Sequence, residues 1–235
     1  MATLAVQPEE TRTGLFDALR IMRNLWMRCG PRYALLWLLQ GTLCRALSLR
    51  VLHICIHEAG PAVGGEQCLP SGYELRLATP EELARGVPDD PSYPDPATLR
   101  RYLAAGDLMI AVFHGGRIVS YGWCSSGPAA IGGGLTLRFS PRFLYGHRAY
   151  TSHRHRGKGL HAAIIAYSRH VAAQRGQSIV AYVDANNHRS LISESRIGPI
   201  RSGLVVVSLR SERLRYWASG LCRQAGLVVS KVAKP

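Results

Sequence analysis

Residues 147–161, His-Arg-Ala-Tyr-Thr-Ser-His-Arg-His-Arg-Gly-Lys-Gly-Leu-His, read as the end of a strand, a basic glycine-containing turn and the opening of a helix. Glycines let a backbone approach a ligand closely, and consecutive N–H groups at a helix start bind anionic oxygens. Arg154, Arg156 and Lys158 add positive charge at the same place. The stretch points to a phosphate-bearing ligand; a bare basic surface turn is the alternative. A P-loop does not fit, because Gly157-Lys158-Gly159-Leu160 offers no Ser or Thr after Gly-Lys to hold magnesium. A dinucleotide fingerprint fits poorly. Ala162 fills the third glycine slot and the nearest acidic candidate, Asp184, stands 25 residues beyond Gly159, where about 20 is usual.

Downstream, Ser178-Ile-Val-Ala-Tyr-Val-Asp is a β-rich run, followed by Asn186-Asn187-His188-Arg189-Ser190 and a short helical stretch to Gly198. Together these segments resemble the acyl-CoA-binding half of the GNAT superfamily of N-acyltransferases. Its signature, Arg/Gln-x-x-Gly-x-Gly/Ala between a strand and a long helix, fits in two registers. Arg154-x-x-Gly157-x-Gly159 satisfies it fully. Arg156-x-x-Gly159-x-His161 starts the helix at the expected distance from the strand but sets His161 where Gly or Ala is usual. The family's Asn-x-x-Ala/Ser, with a Gly eleven residues after the Asn, matches Asn187, Ser190 and Gly198. Its frequent general-acid Tyr, seven residues after the Asn, is Glu194 here, so that role does not transfer. The resemblance spans about residues 72–210.

The resemblance implies an α+β fold: a mixed, mostly antiparallel sheet flanked by helices, with acyl-CoA, most simply acetyl-CoA, held where two adjacent parallel strands splay. Thr151 and Ser152 would line that cleft beside Tyr150. Arg156, Gly157, Lys158, Gly159, Leu160 and His161 would cradle the pyrophosphate, and Asn187 with Ser190 would reach the cofactor from the far side.

Composition sets wider bounds. At 235 residues, 47% hydrophobic and 19% charged, the chain is ordered and long enough for one substantial core. A net charge of +14 favours anionic ligands and surfaces. Its arginines are scattered, and nucleic acid is not an expected partner. Six widely spaced cysteines, none in a Cys-x-x-Cys pair, argue against a zinc ribbon or a thioredoxin-like site. They are expected to be reduced thiols in the cytoplasm. His153-x-His155 has no neighbouring carboxylate or Cys, so no metal is expected.

Three units are expected: a helical N-terminal extension over 1–58, a Gly- and Pro-rich linker over 59–71 and the catalytic domain over 72–235. In the extension, Leu15, Phe16, Leu19, Ile21, Met22, Leu25 and Trp26 follow a helical period; Gly30-Pro31 breaks the pattern before an uncharged run over 33–44. That run is too short to span a bilayer. Residues 12–56 could pack on their own domain or on a second subunit, lie on an anionic membrane at its inner face as an interfacial helix pair, or act as a targeting segment. Further on, Thr79-Pro80-Glu81-Glu82 is a helix start, a hairpin turns at Gly115-Gly116, and 213–222 reads as helical.

Acyl transfer from a thioester to an amine needs a polarised carbonyl, a base for the amine and an acid for the thiolate. Period-two alternation puts Tyr145, His147, Ala149 and Thr151 on one face of the incoming strand. That makes His147 the candidate base, with Tyr150 and Tyr182 the candidate acids; each could equally be structural. The expected activity is transfer to a primary amine of a small metabolite or amino sugar. A catalytically weak binding module for membrane or nucleic acid, and a protein lysine acetyltransferase, are the alternatives.

Overall fold

The computed structural model describes residues 15–44, 46–60, 69–194, 197, 201–208 and 214–231. Two helices open the chain, α1 (Leu15–Cys29) and α2 (Pro31–Leu39), and a π-helical turn at Gln40–Cys44 leads into β1 (Leu49–His57). Then come β2 (Tyr73–Leu77), α3 (Pro80–Arg85), α4 (Pro96–Ala104), β3 (Leu108–His114) and β4 (Arg117–Ser125). After β5 (Ala129–Gly132), β6 (Leu135–Arg138) and β7 (Phe143–Thr151), α5 (Leu160–Gln174) precedes β8 (Ser178–Asp184). The chain ends with α6 (His188–Glu194), β9 (Arg201–Ser208), β10 (Arg215–Ala218), α7 (Gly220–Gln224) and β11 (Val228–Lys231).

Eight strands form one sheet in the order β10-β9-β1-β8-β7-β4-β3-β2, and β11-β6-β5 form a second. Every neighbour pair in the large sheet is antiparallel except β7 with β8. The expected mixed, mostly antiparallel sheet with flanking helices is the architecture found. Alternating residues explain its layers. Leu144 and Ile179 point to α5, where Leu160, Ala163 and Ile164 meet them. Their neighbours Tyr145 and Val180 point the other way, to Ile131 and Leu137 of the small sheet. At Gly122 an added Cβ would lie 3.1 Å from Ile164, so the missing side chain lets α5 settle onto β4. The Thr79 start is present as a full capping box.

The N-terminal extension differs from the expectation. Residues 49–57 are not part of a helical arm: they form β1, which sits inside the large sheet between β8 and β9. The cause is a period-two pattern. Leu52, Ile54 and Ile56 fill the core between the sheets, while His53, Cys55 and His57 face the helical layer and are buried there. Residues 61–68, most of the expected linker, lie outside the described residues. The 213–222 segment is also corrected. Arg215–Ala218 pairs with β9, Tyr216 opposite Val207 and Trp217 opposite Val206, and only Gly220–Gln224 is helical. Pairing along a free strand edge outweighed the local helical pattern.

The hairpin α1–α2 covers the helical side of β8 and contacts α6 through Leu25, Ala34, Val183 and Leu191. His53 is sealed beneath it, its ring 4.7 Å from that of Tyr33 and nearly parallel. Burial pulls the His53 imidazole down to about 4, with the charge of Arg32 adding to the effect. Nε2 of His53 has no partner.

Two expectations follow. A chain shortened to residues 72–235, the boundary the composition suggests, would lack β1 and expose edges of both β8 and β9. Full burial of Leu52, Ile54 and Ile56 stabilises by roughly 1.5–3 kcal/mol each, much of a typical total of about 5–15 kcal/mol. The shortened chain should show no cooperative urea transition; a full-amplitude transition would show β1 to be dispensable. The second concerns acid. Folded His53 stays neutral while the unfolded chain takes up a proton below about pH 6.5. Stability is therefore unaffected above that pH and lost as pH falls toward 4. Between pH 7.5 and 5, His53→Phe should lose about 2 kcal/mol less than the native chain in urea titrations.

Candidate active site

The parallel pair β7 and β8 is hydrogen-bonded over three residue pairs only, Phe143↔Ser178, Leu144↔Ile179 and Tyr145↔Val180. Beyond these, β7 continues to Thr151 along β4, and β8 continues to Asp184 along β1. The two strands part, each still held by an antiparallel neighbour on its outer side. Their facing edges carry backbone groups that are not paired with one another.

The glycine turn follows the end of β7. Gly157 and Gly159 have φ of +79° and +76°, the left-handed region, and a Cβ at either would meet nothing within 4 Å. The space above both is open. Gly159 is the N-cap of α5 and brings no side chain to its first turn, so the N–H groups there lack intrahelical partners and point outward. The turn itself is well tied. Arg156 Nε donates to the Thr151 carbonyl at 3.1 Å, and Lys158 Nζ donates to the Tyr73 hydroxyl at 2.6 Å. Tyr73 also bonds His155 Nδ1 at 2.8 Å. Uncapped amides, two positive-φ glycines and two cationic side chains fit an anionic diphosphate.

Not every expected binding residue offers its side chain. Thr151 Oγ1 is bonded to Ser120 at 2.7 Å, and the Ser152 hydroxyl donates to the Asp89 carboxylate at 2.9 Å. Leu160 is core, so only its backbone can face a ligand. Asn187 Oδ1 accepts from Ser190 N at 3.2 Å, which caps α6. His161 turns from the solvent to Ser193, Nδ1 to Oγ 3.0 Å, and burial lowers its pKa. Gly198 lies outside the described residues.

On the opposite face, three rings stand in a column across the parting. Tyr145, the last paired residue of β7, stacks on His147 at 5.1 Å and on Tyr182 of β8 at 6.0 Å, both nearly parallel. His147 and Tyr182 are thus brought to one place, joined by a tyrosine the sequence reading left unassigned. Tyr102 meets His147 edge-on at 5.7 Å. Burial, with Arg148 beside it, pulls the His147 imidazole down to about 4, and its Nε2 is shielded without a partner. Tyr182 donates to the Ala130 carbonyl at 3.3 Å, and burial raises its pKa.

The expected alternation along β7 fails at one point. Arg148, with φ of +48°, is a bulge, and the pairing with β4 shifts there: Trp123 faces His147, yet Tyr121 faces Tyr150. The side-chain parity flips. Tyr150 takes the place on the His147 face that Ala149 was expected to hold, and Thr151 turns to the other face. A non-glycine residue at positive φ leaves no mark in sequence. Tyr150 is then tied to the loop before α4, donating to the Asp89 carbonyl at 2.5 Å, and burial raises its pKa. Beside it Tyr121 bonds the buried carboxylate of Asp90.

Sequence reasoning also missed a buried pair, His57 Nε2 to Glu194 Oε2 at 3.0 Å, which joins β1 to the end of α6. Glu194, at the position where the family often carries its acid, is bonded through Oε2 to a strand 137 positions away. No group of three or more metal-ligating side chains occurs among the described residues.

No match to a curated protein sequence was found. Among solved structures, AAC(6')-Iy in complex with the bisubstrate analogue CoA-S-monomethyl-acetylneamine is similar at 16% identity and TM-score 0.44, over 55% of this chain and 90% of that one. A GCN5-related N-acetyltransferase-like protein from Streptococcus suis is similar at 12% identity and TM-score 0.47, over 75% of this chain and 67% of that one. The aminoglycoside acetyltransferase meta-AAC0020 from an uncultured soil sample, in complex with trehalose, shares 14% identity at TM-score 0.40, over 55% and 88%. The profile of the Acetyltransferase (GNAT) family matches residues 73–191, just over half of the chain, from β2 through the parted strands into α6. The chain belongs to the GNAT acetyltransferase family.

Proposed function

We propose that the protein is an N-acyltransferase that moves an acyl group from acyl-CoA, most simply acetyl-CoA, directly to a primary amine of a small metabolite or amino sugar. The observation that carries this reading is the parting of β7 and β8 immediately before an uncapped, glycine-led helix start. The cofactor, when bound, supplies the activated acyl thioester. On this reading the amides of Gly157 to His161 and the charges of Arg156 and Lys158 hold its diphosphate, and the unpaired edges of β7 and β8 orient its extended arm.

On this reading His147 takes a proton from the incoming amine. Its low pKa keeps the imidazole neutral at pH 7, so one of its two ring nitrogens carries a lone pair. The same burial makes it a weak base, so it would accept the proton only once nitrogen has attacked the carbonyl and its N–H has become acidic. Tyr145 holds the ring by stacking, and Tyr182 of the facing strand stacks on the other side of Tyr145.

Calorimetric titration with acetyl-CoA at moderate salt should give saturable binding. Arg156→Ala should weaken it about tenfold, in line with loss of a charge-assisted hydrogen bond. Gly159→Glu, which sets a like charge at the anion site, should weaken it further. Absence of binding to the native chain would remove the cofactor reading. The base is tested separately. His147→Phe keeps the stack and deletes the lone pair, so kcat across an amine panel should fall about 100-fold or more while the acetyl-CoA Kd stays within about threefold. A variant as active as the native chain would dismiss His147 and leave the cofactor reading standing.

A further inference from the structure

The hairpin α1–α2 has an outer face that acyl transfer leaves unused. Leu19, Trp26 and Met27 of α1 and Leu35 and Leu38 of α2 are exposed on it, Trp26 to 58% and Met27 to 76%. On α1 the residues at 19, 23, 26 and 27 follow helical spacing and share one stripe, and Leu19, Met22, Arg23, Trp26 and Met27 line a shallow groove. Arg20 and Arg23 are exposed on the same side of α1 as these apolar side chains, and Arg28 and Arg32 are exposed elsewhere on the hairpin. Against them stands one carboxylate in residues 15–44, Asp17, paired with Arg20 at 2.9 Å.

That mixture discriminates between occupants. A second copy of this chain packing face to face would set the arginines against their own like charges, with little acid to offset them. Trp, Met and Arg are common in protein interfaces too, but a protein partner would have to bring an acidic face to offset the arginines, since this hairpin has almost no acid of its own. An anionic bilayer accommodates both components: apolar side chains enter the acyl boundary, tryptophan sits at the headgroup level, and arginines meet phosphates. No helix of the described residues is long and apolar enough to cross a membrane, so such contact would be made with the helices lying along the surface. We infer that the outer face of α1–α2 is a docking surface for anionic phospholipid membranes.

Flotation of the full chain with vesicles of equal POPC and POPG, against POPC alone, tests this at about 0.1 M salt. The protein should float with the anionic vesicles and partition at least about tenfold less onto POPC, because the arginines supply much of the attraction. Trp26→Ser with Met27→Ser should lower partitioning onto anionic vesicles at least about tenfold. Arg20→Glu with Arg23→Glu, confined to exposed positions, should do the same while far-UV circular dichroism and acetyl-CoA binding stay native. No flotation of the native chain would overturn the inference, as would equal flotation of both variants. A native dimer that the Trp26/Met27 variant dissolves, by sedimentation equilibrium, would assign the face to a second copy instead.

Discussion

The rest of the molecule depends on a restriction in backbone pairing: β7 and β8 must run together long enough to fix their direction and then separate. Two neighbouring strands that part inside a sheet would ordinarily fray, since each loses a row of hydrogen bonds. Here β4 holds β7 along its far edge and β1 holds β8 along its own. Antiparallel ladders on both flanks supply the rigidity that the parallel pair lacks beyond Tyr145 and Val180. The opening is thus a property of a well-fastened sheet, and it delivers β7 into the glycine turn at a fixed position.

Side chains on the two faces then divide the labour. Toward the helices, the start of α5 is tied to α6 by His161 and Ser193, and the end of α6 is tied to β1 by the buried pair of Glu194 and His57. Toward the small sheet, Tyr182, Tyr145 and His147 form an aromatic column. The bulge at Arg148 lets one strand serve both. Below it His147 belongs to the column, and above it the hydroxyls of Thr151 and Ser152 are locked to Ser120 and Asp89 at the entrance to the turn.

Much of this was legible in the residues themselves. The Thr79 cap, the Gly115-Gly116 hairpin, β7 and α5 all have local signals: a capping box, a paired-glycine turn, alternation and an apolar stripe. What sequence could not supply was either tertiary or unsignalled. The strand β1 carries an alternating pattern, but His53, Cys55 and His57 look like a polar face until a helical layer is known to cover them. The flip of parity at Arg148 has no compositional mark. The Glu194 pair and the Tyr145 stack arise between residues far apart in the chain, where local periodicity says nothing. For the hydroxyls of Thr151 and Ser152 the residue type suggested ligand binding, and the packing instead ties Thr151 to Ser120 of β4 and Ser152 to Asp89 in the loop before α4.

The central position of β1 also bears on how the chain is made. Arg50 of this strand is ion-paired to Asp184, 134 positions later, at 2.6 Å. During synthesis at about 5–20 residues per second, β1 therefore waits on the order of ten seconds for its first sheet neighbour. Through that interval Val51, Leu52, Ile54 and Ile56 form an apolar, β-prone segment with two open edges, the kind of segment that pairs with the wrong chain. Contacts of such long range also slow the search for the native state. The strand that secures the finished sheet is the one most exposed to misassembly while the chain emerges, and a holding factor acting on residues 49–57 would have the largest effect on yield.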